Sequence, residues 1–295
     1  MRLAFTLVAQ NIDSLQDALP AALDAVTASG RPVVDTHILG NGAADIIVDG
    51  NGPAELRANA ERALERQSVD FCVQPIDGRR KRLLVADMDS TIIGCECLDE
   101  LADFANLKAE IAEITARAMA GEIPFEGALR ERVGKLRGLG VDALQRTYEE
   151  RVRLNPGART MVQTMTAHGA RCVLVSGGFE FFTTRVASAA GFAAQRANRL
   201  LVDGARLTGE VADPILGREA KLQALIEEAG ALGVDLADTL AIGDGANDLA
   251  MIQAAGLGVA YRAKPVVAAQ ADAQIRYGDL TALLYFQGYG ADEFA

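Results

Sequence analysis

The chain has little of what several common chemistries require. Only two histidines occur in 295 residues, His37 and His168. That is too few for a histidine-rich metal site and leaves little room for a Ser-His-Asp triad. The four cysteines, Cys72, Cys95, Cys97 and Cys172, are too few and too scattered for a disulfide framework. Cys95 and Cys97 stand two apart, which turns their thiols to different sides of a helix or strand, and no second Cys/His pair accompanies them. They read as reduced cytosolic thiols rather than metal ligands. No run of about 18 apolar residues exists, so no membrane-spanning helix is expected. The opening MRLAFTLVAQNIDSLQD reaches acidic residues too soon for a signal peptide, and the expected location is cytoplasmic. Positive charge is also short. Twenty-nine Lys and Arg against 40 Asp and Glu leave a net charge of −11, which argues against nucleic acid and anionic membrane surfaces as partners. A small anionic substrate stays open, because a bound cation can invert the local field.

What is present suits a globular chain of one large or two ordinary domains. Half of the residues are hydrophobic and 23% are charged, with no low-complexity tract. Residues 1–77 carry short apolar runs, LAFTLVA, HILGNGAADIIVDG and VDFCVQP, separated by helical patterns from Ser14 to Ser29 and through PAELRANAERALERQ. The order β-α-β-β-α-β predicts a ferredoxin-like α+β unit. Gly40-Asn41-Gly42 supplies the turn of its central hairpin. The basic stretch PIDGRRKR reads as a solvated linker to a second domain, 78–295.

From Arg82 the rhythm becomes apolar strand, turn, long helix. LLVA precedes Asp87, CVLV precedes Ser176-Gly177-Gly178, TLAI precedes Gly243-Asp244-Gly245, and GLGVAY follows. Continuous apolar runs suit parallel strands covered on both faces. Helical patterns at 158–168, 179–190 and 219–230 complete an α/β, Rossmannoid, doubly wound domain. Residues 97–153, almost wholly helical in pattern, form a small cap inserted after the first strand. NRLLVDGARLTGEV predicts a hairpin turning at Asp203-Gly204.

Ligands of open parallel sheets bind beyond the carboxyl ends of the strands. Three such ends deliver Asp87 and Asp89, Ser176-Gly177, and Asp244, and Lys221 opens a helix between the last two. Hard oxygen ligands and a cation there suit a magnesium ion and a phosphate. D-x-D-x-[ST] alone is a weak signal; several strand ends agreeing is a stronger one.

Those parts in that order resemble the haloacid dehalogenase superfamily of phosphatases. DMDSTIIGCECLDELA, ITARAMAGEIPFEGALRERV, VSGGF, GREAKLQAL and GDGANDLAMI are similar, more narrowly, to the motifs of the phosphoserine phosphatase family. The resemblance covers residues 82 to about 285. It implies Mg²⁺-dependent hydrolysis of O-phosphoserine through an aspartyl-phosphate, the last step of serine synthesis. It implies Asp87 as nucleophile and Asp89 as general acid and base. Asp87, Asp244 and the Asp89 carbonyl would be the metal ligands. Ser176, Gly177, Lys221 and Asn247 would face the phosphoryl group, with Asp248 behind them. Glu96 would take the substrate ammonium and Arg132 its carboxylate, under an apolar lid of Met119 and Phe125. The N-terminal unit resembles ACT domains, which bind amino acids in relatives. However, its first strand-helix turn, VAQNIDSLQ, lacks the Asp-Arg-Pro-Gly pattern of ligand-binding members. Packing or homodimer formation is the expected role. A phosphotransferase acting on another amino-alcohol, an inert regulatory binding protein and a phosphoprotein phosphatase are the rival readings.

Overall fold

The computed structural model describes residues 1–119 and 122–295; the side chain of Met119, one of the two expected lid residues, lies outside the described residues. The N-terminal unit runs β1 (Arg2–Ala9), α1 (Ile12–Ala28), β2 (Val33–Gly40), β3 (Ala43–Asp49), α2 (Ala54–Ala63) and β4 (Val69–Pro75). Its strands pair antiparallel in the order β2-β3-β1-β4. The alternation of β1 sends Leu3, Phe5 and Leu7 to one face, where Leu15, Ala18 and Ala22 of α1 meet them at helical spacing. Asn11 caps α1 by accepting the Ser14 N–H at 2.9 Å. Gly42 closes the hairpin at φ +117°, and a side chain there would meet the Ala9 carbonyl at 2.7 Å.

The second part begins with β5 (Leu83–Ala86). The cap follows as four helices, α3 (Cys97–Phe104), α4 (Lys108–Met119), α5 (Phe125–Lys135) and α6 (Val141–Arg151). The chain then alternates α7 (Ala158–Ala167), β6 (Arg171–Phe179), α8 (Glu180–Ala190) and β7 (Ala194–Asn198). A hairpin of β8 (Leu200–Asp203) and β9 (Arg206–Val211) precedes α9 (Arg218–Leu232). The last elements are β10 (Thr239–Gly243), α10 (Leu249–Ala254), β11 (Leu257–Tyr261), α11 (Pro265–Ala268), β12 (Ala273–Ile275) and α12 (Ala282–Phe286). Strands β12-β11-β10-β5-β6-β7 are parallel neighbours. β5 and β10 are buried at every residue, as their unbroken apolar runs require. The hairpin does not stand alone: Ala205 accepts the Val141 N–H and Leu139 accepts the Leu207 N–H, both at 2.9 Å, which binds it to the cap.

Two features depart from the sequence expectation. β4 pairs antiparallel with β12 at Phe71 and Gln274, so the two units share one ten-stranded sheet. Asp70 strengthens the seam, accepting the backbone N–H groups of Arg276 and Gly278 at 2.7 Å each. The basic linker is also not simply solvated. Arg79 reaches the fully buried Asp45 at 2.6 Å, and Lys81 donates to the carbonyls of Gly78 and Ala237 at 2.9 and 2.8 Å. A buried carboxylate needs a cation, and the linker supplies it.

Candidate active site

β5 is followed at once by Asp87, whose N–H donates to the Ile242 carbonyl of the adjacent β10 at 3.0 Å. The chain then makes an irregular turn over residues 88–92, with Ser90 at φ +56°. A non-glycine residue in that region is strained and is held by its surroundings; here the Ser90 hydroxyl donates to Glu96 Oε1 at 2.6 Å. The turn brings both aspartates to the same end of the sheet. Asp87 Oδ1 accepts the Met88 N–H at 2.8 Å and lies 2.6 Å from Lys221 Nζ. Asp89 Oδ1 accepts the Cys97 N–H at 2.9 Å, and its Oδ2 accepts the Ser176 hydroxyl at 3.1 Å.

Lys221, in the first turn of α9 and 3% exposed, also donates to Asp248 Oδ1 at 2.5 Å. Burial works against its charge, but Asp87 and Asp248 outweigh burial and hold its pKa above the ordinary lysine value. Asp248 is fully buried and its Oδ2 accepts the Gly245 N–H at 2.9 Å. Asp244, just past β10, accepts the Thr91 hydroxyl at 3.1 Å. Burial, then Asp248 and Glu96, raise its pKa to about 6. Burial and the nearby Glu96 likewise raise Asp89 to about 6. Burial and Asp248 push Asp87 well above the usual carboxylate range, with Lys221 opposing them.

The three carboxylate shifts share burial as their largest cause, and the surplus of negative charge over one ammonium adds to it. Asp87, Asp244 and Asp248 each offer a carboxylate oxygen within 4.8 Å of the others. An all-oxygen donor set of this kind, short of positive charge, fits a hard divalent cation.

The cap side is looser. Glu96 and Asn247 are exposed. Arg132 is partly buried, with its Nε donating only to the Ala128 carbonyl of its own helix, at 3.3 Å. Burial lowers its pKa while Asp99 and Glu96 act against that fall, so these two acids lie in its field. Phe125, 42% exposed, covers both strand-end loops. Its ring lies 3.6 Å from where a Cβ on Gly177 would stand and 3.5 Å from the same point on Gly217. Met119 ends α4, but its side chain falls outside the described residues.

Sequence reasoning assigned no site role to three residues that the geometry ties to the site. Thr91 donates to Asp244, a role its place in the DMDST motif could have suggested. Gly178 leaves room that a Cβ would close, at 2.9 Å from Asp89 Oδ2 and 3.0 Å from Ser176 Oγ. Asn198, at the end of a strand without an apolar pattern, donates to the Gly177 carbonyl at 2.8 Å; nothing in the sequence marks it.

Residues 84–253 match the family described as haloacid dehalogenase-like hydrolase. A curated phosphoserine phosphatase of a Polaromonas species is 46% identical over 208 residues, 69% of this chain and 88% of that protein. The crystal structure of a probable phosphoserine phosphatase from Vibrio cholerae superposes with a TM-score of 0.79 at 32% identity, covering 99% of this chain and 88% of that one. That likeness therefore includes the N-terminal unit. A phospho-aspartyl intermediate analogue of phosphoserine phosphatase gives a TM-score of 0.65 at 36% identity, over 70% of this chain and 98% of that one. Among the described residues no helix is long and apolar enough to cross a membrane. With its matched span, its acidic strand ends and its relatives in agreement, the chain belongs to the haloacid dehalogenase-like hydrolases, in the branch of the phosphoserine phosphatases.

Proposed function

We propose that this chain is a cytoplasmic enzyme that hydrolyses O-phosphoserine to serine and inorganic phosphate, closing serine synthesis. The observation that carries the reading is the pairing of Lys221 with Asp87 Oδ1 beside the Ser176–Asp89 hydrogen bond. The likeness to named phosphoserine phosphatases supports the substrate.

Oδ1 of Asp87 is occupied by Met88 N–H and Lys221, which leaves Oδ2 to attack phosphorus. The new P–O bond to Asp87 forms as the bond to the serine oxygen breaks, and Asp89 gives that oxygen its proton. Asp89, now ionised, takes a proton from water as the water oxygen attacks phosphorus and the bond to Asp87 breaks. Ser176, the Gly177 N–H and Lys221 hold the equatorial oxygens throughout. A magnesium ion held by the carboxylates of Asp87 and Asp244 and the Asp89 carbonyl would screen the repulsion between carboxylate and phosphate.

Recognition of the rest of the substrate falls to the cap. Arg132, with no acid close enough to pair with it among the described residues, is free to take the α-carboxylate, and Glu96 takes the ammonium. Phe125 excludes water over the loops it covers.

The test is phosphate release with Mg²⁺ from three substrates: free O-phosphoserine, a phosphoserine peptide and p-nitrophenyl phosphate. Turnover should be fastest, by kcat/KM, with free phosphoserine. Preference for the peptide would overturn the cap assignments, and no release from any of the three would overturn the enzyme.

A further inference from the structure

Asn198 is 2% exposed, yet it is a polar side chain at the end of the outermost parallel strand. Burying an amide is costly unless its groups are bonded. All of its side-chain bonds run to the backbone of two segments. Nδ2 donates to the Gly177 carbonyl at 2.8 Å and the Leu216 carbonyl at 3.2 Å, and Oδ1 accepts the Leu216 N–H at 2.7 Å. One is the end of β6 just past Ser176. The other runs through Gly217, the N-cap of α9, into the turn that bears Lys221. Phe125 rests on Gly177 and Gly217 together. Asn198 is therefore the clasp between the two segments that form the phosphate side of the site.

The first bond also sets a peptide plane. In a trans peptide the carbonyl and the following N–H point in opposite directions. With the Gly177 carbonyl turned onto Asn198, the Gly178 N–H points the other way and donates to Ser176 Oγ at 2.8 Å. That hydroxyl in turn donates to Asp89.

We propose that Asn198 is a positioning residue for the phosphoryl group: it touches neither substrate nor metal, but fixes the Gly177–Gly178 peptide and the approach to Lys221 as one cradle. This rests on the phosphatase reading above. The cradle holds phosphate, whereas Glu96 and Arg132 hold serine, so loosening the clasp should separate the two products.

The experiment is calorimetric binding of inorganic phosphate and of L-serine to wild type, Asn198→Asp and Asn198→Ala, with Mg²⁺ present. Asn198→Asp keeps the acceptor for Leu216 but loses both donations, and Asn198→Ala loses all three bonds. In both variants phosphate affinity should fall about tenfold or more, the worth of one buried hydrogen bond. Serine affinity should hold within about twofold. Thr183→Val, which removes the buried Thr183–Gln195 bond of 2.6 Å, should lower the melting temperature without any such split. Should Asn198→Ala fail to fold, the nearly isosteric Asp variant decides. Equal losses for both products, or unchanged phosphate binding in a folded variant, would overturn the positioning role. A wild type inert toward phosphoserine would instead remove the proposed function, while the phosphate measurement, which needs no turnover, still decides Asn198.

Discussion

The two sides of the site are built to different tolerances. On the sheet side, Asp87, Lys221 and Asp248 are buried, and one ammonium bonds both carboxylates at 2.5–2.6 Å. On the cap side, Glu96 is exposed and Arg132 lacks an ion-pair partner among the described residues. In the proposed reaction, the side that breaks a P–O bond needs groups fixed before substrate arrives. The side proposed to recognise serine keeps charges without an ion-pair partner among the described residues, to be met by those of the substrate.

Removing the sheet-side cation should break this contrast hardest. Lys221→Met would strand Asp87 and Asp248, costing about 3 kcal/mol of stability and about 10³-fold in kcat; chemical denaturation and steady-state kinetics measure both. A loss confined to KM would place Lys221 on the recognition side instead. Next comes Gly178→Ala. Its Cβ would stand 2.9 Å from Asp89 Oδ2 and 3.0 Å from Ser176 Oγ, so kcat should drop about 10²-fold by displacement of the acid, with the circular-dichroism melt nearly unchanged.

Arg132→Ala should sharpen the contrast from the other side. KM for phosphoserine should rise about 10- to 100-fold, as expected for a charged hydrogen-bonded pair. Stability should stay level, because the guanidinium bonds only its own helix. The smallest effect concerns pH. Asp89 and Asp244 sit at about 6, above their ordinary value of 3.8, so the metal-free fold binds protons that the unfolded chain has released. Their contribution to stability therefore falls as pH rises from 3.8 to about 6 and is level above that. Magnesium held by the Asp244 carboxylate requires that group ionised, so the rise in melting temperature on adding Mg²⁺ should be larger at pH 7 than at pH 5. An equal rise at both values would mean that the Asp244 carboxylate does not hold the ion.

The same contrast explains what could be read from sequence. LLVA and TLAI were legible as buried parallel strands because no charged residue interrupts their apolar runs. The groups at their ends were legible because phosphate chemistry demands those residue types there. β7, with the sequence AQRAN, and the three-residue β12 carry no apolar pattern and are strands only because neighbours pair with them. The fusion of the two units through Phe71 and Gln274 rests on one such pairing. The burial of Lys81 and Arg79 could not be foreseen either, since their partners, the Ala237 carbonyl and Asp45, are remote in sequence. Asn198 is the extreme case: an asparagine before a hairpin looks like any loop residue until the fold closes Leu216 and Gly177 around it.

The most direct test of the central claim is where the phosphoryl group goes. Wild-type protein would be mixed with O-phosphoserine and Mg²⁺, quenched in acid within one turnover, and its peptides mapped by mass spectrometry. A phosphoryl group on Asp87 is the result expected, absent from an Asp87→Asn control. Steady release of inorganic phosphate with Asp87 never modified, or modification at another residue, would contradict a covalent reaction at the end of β5.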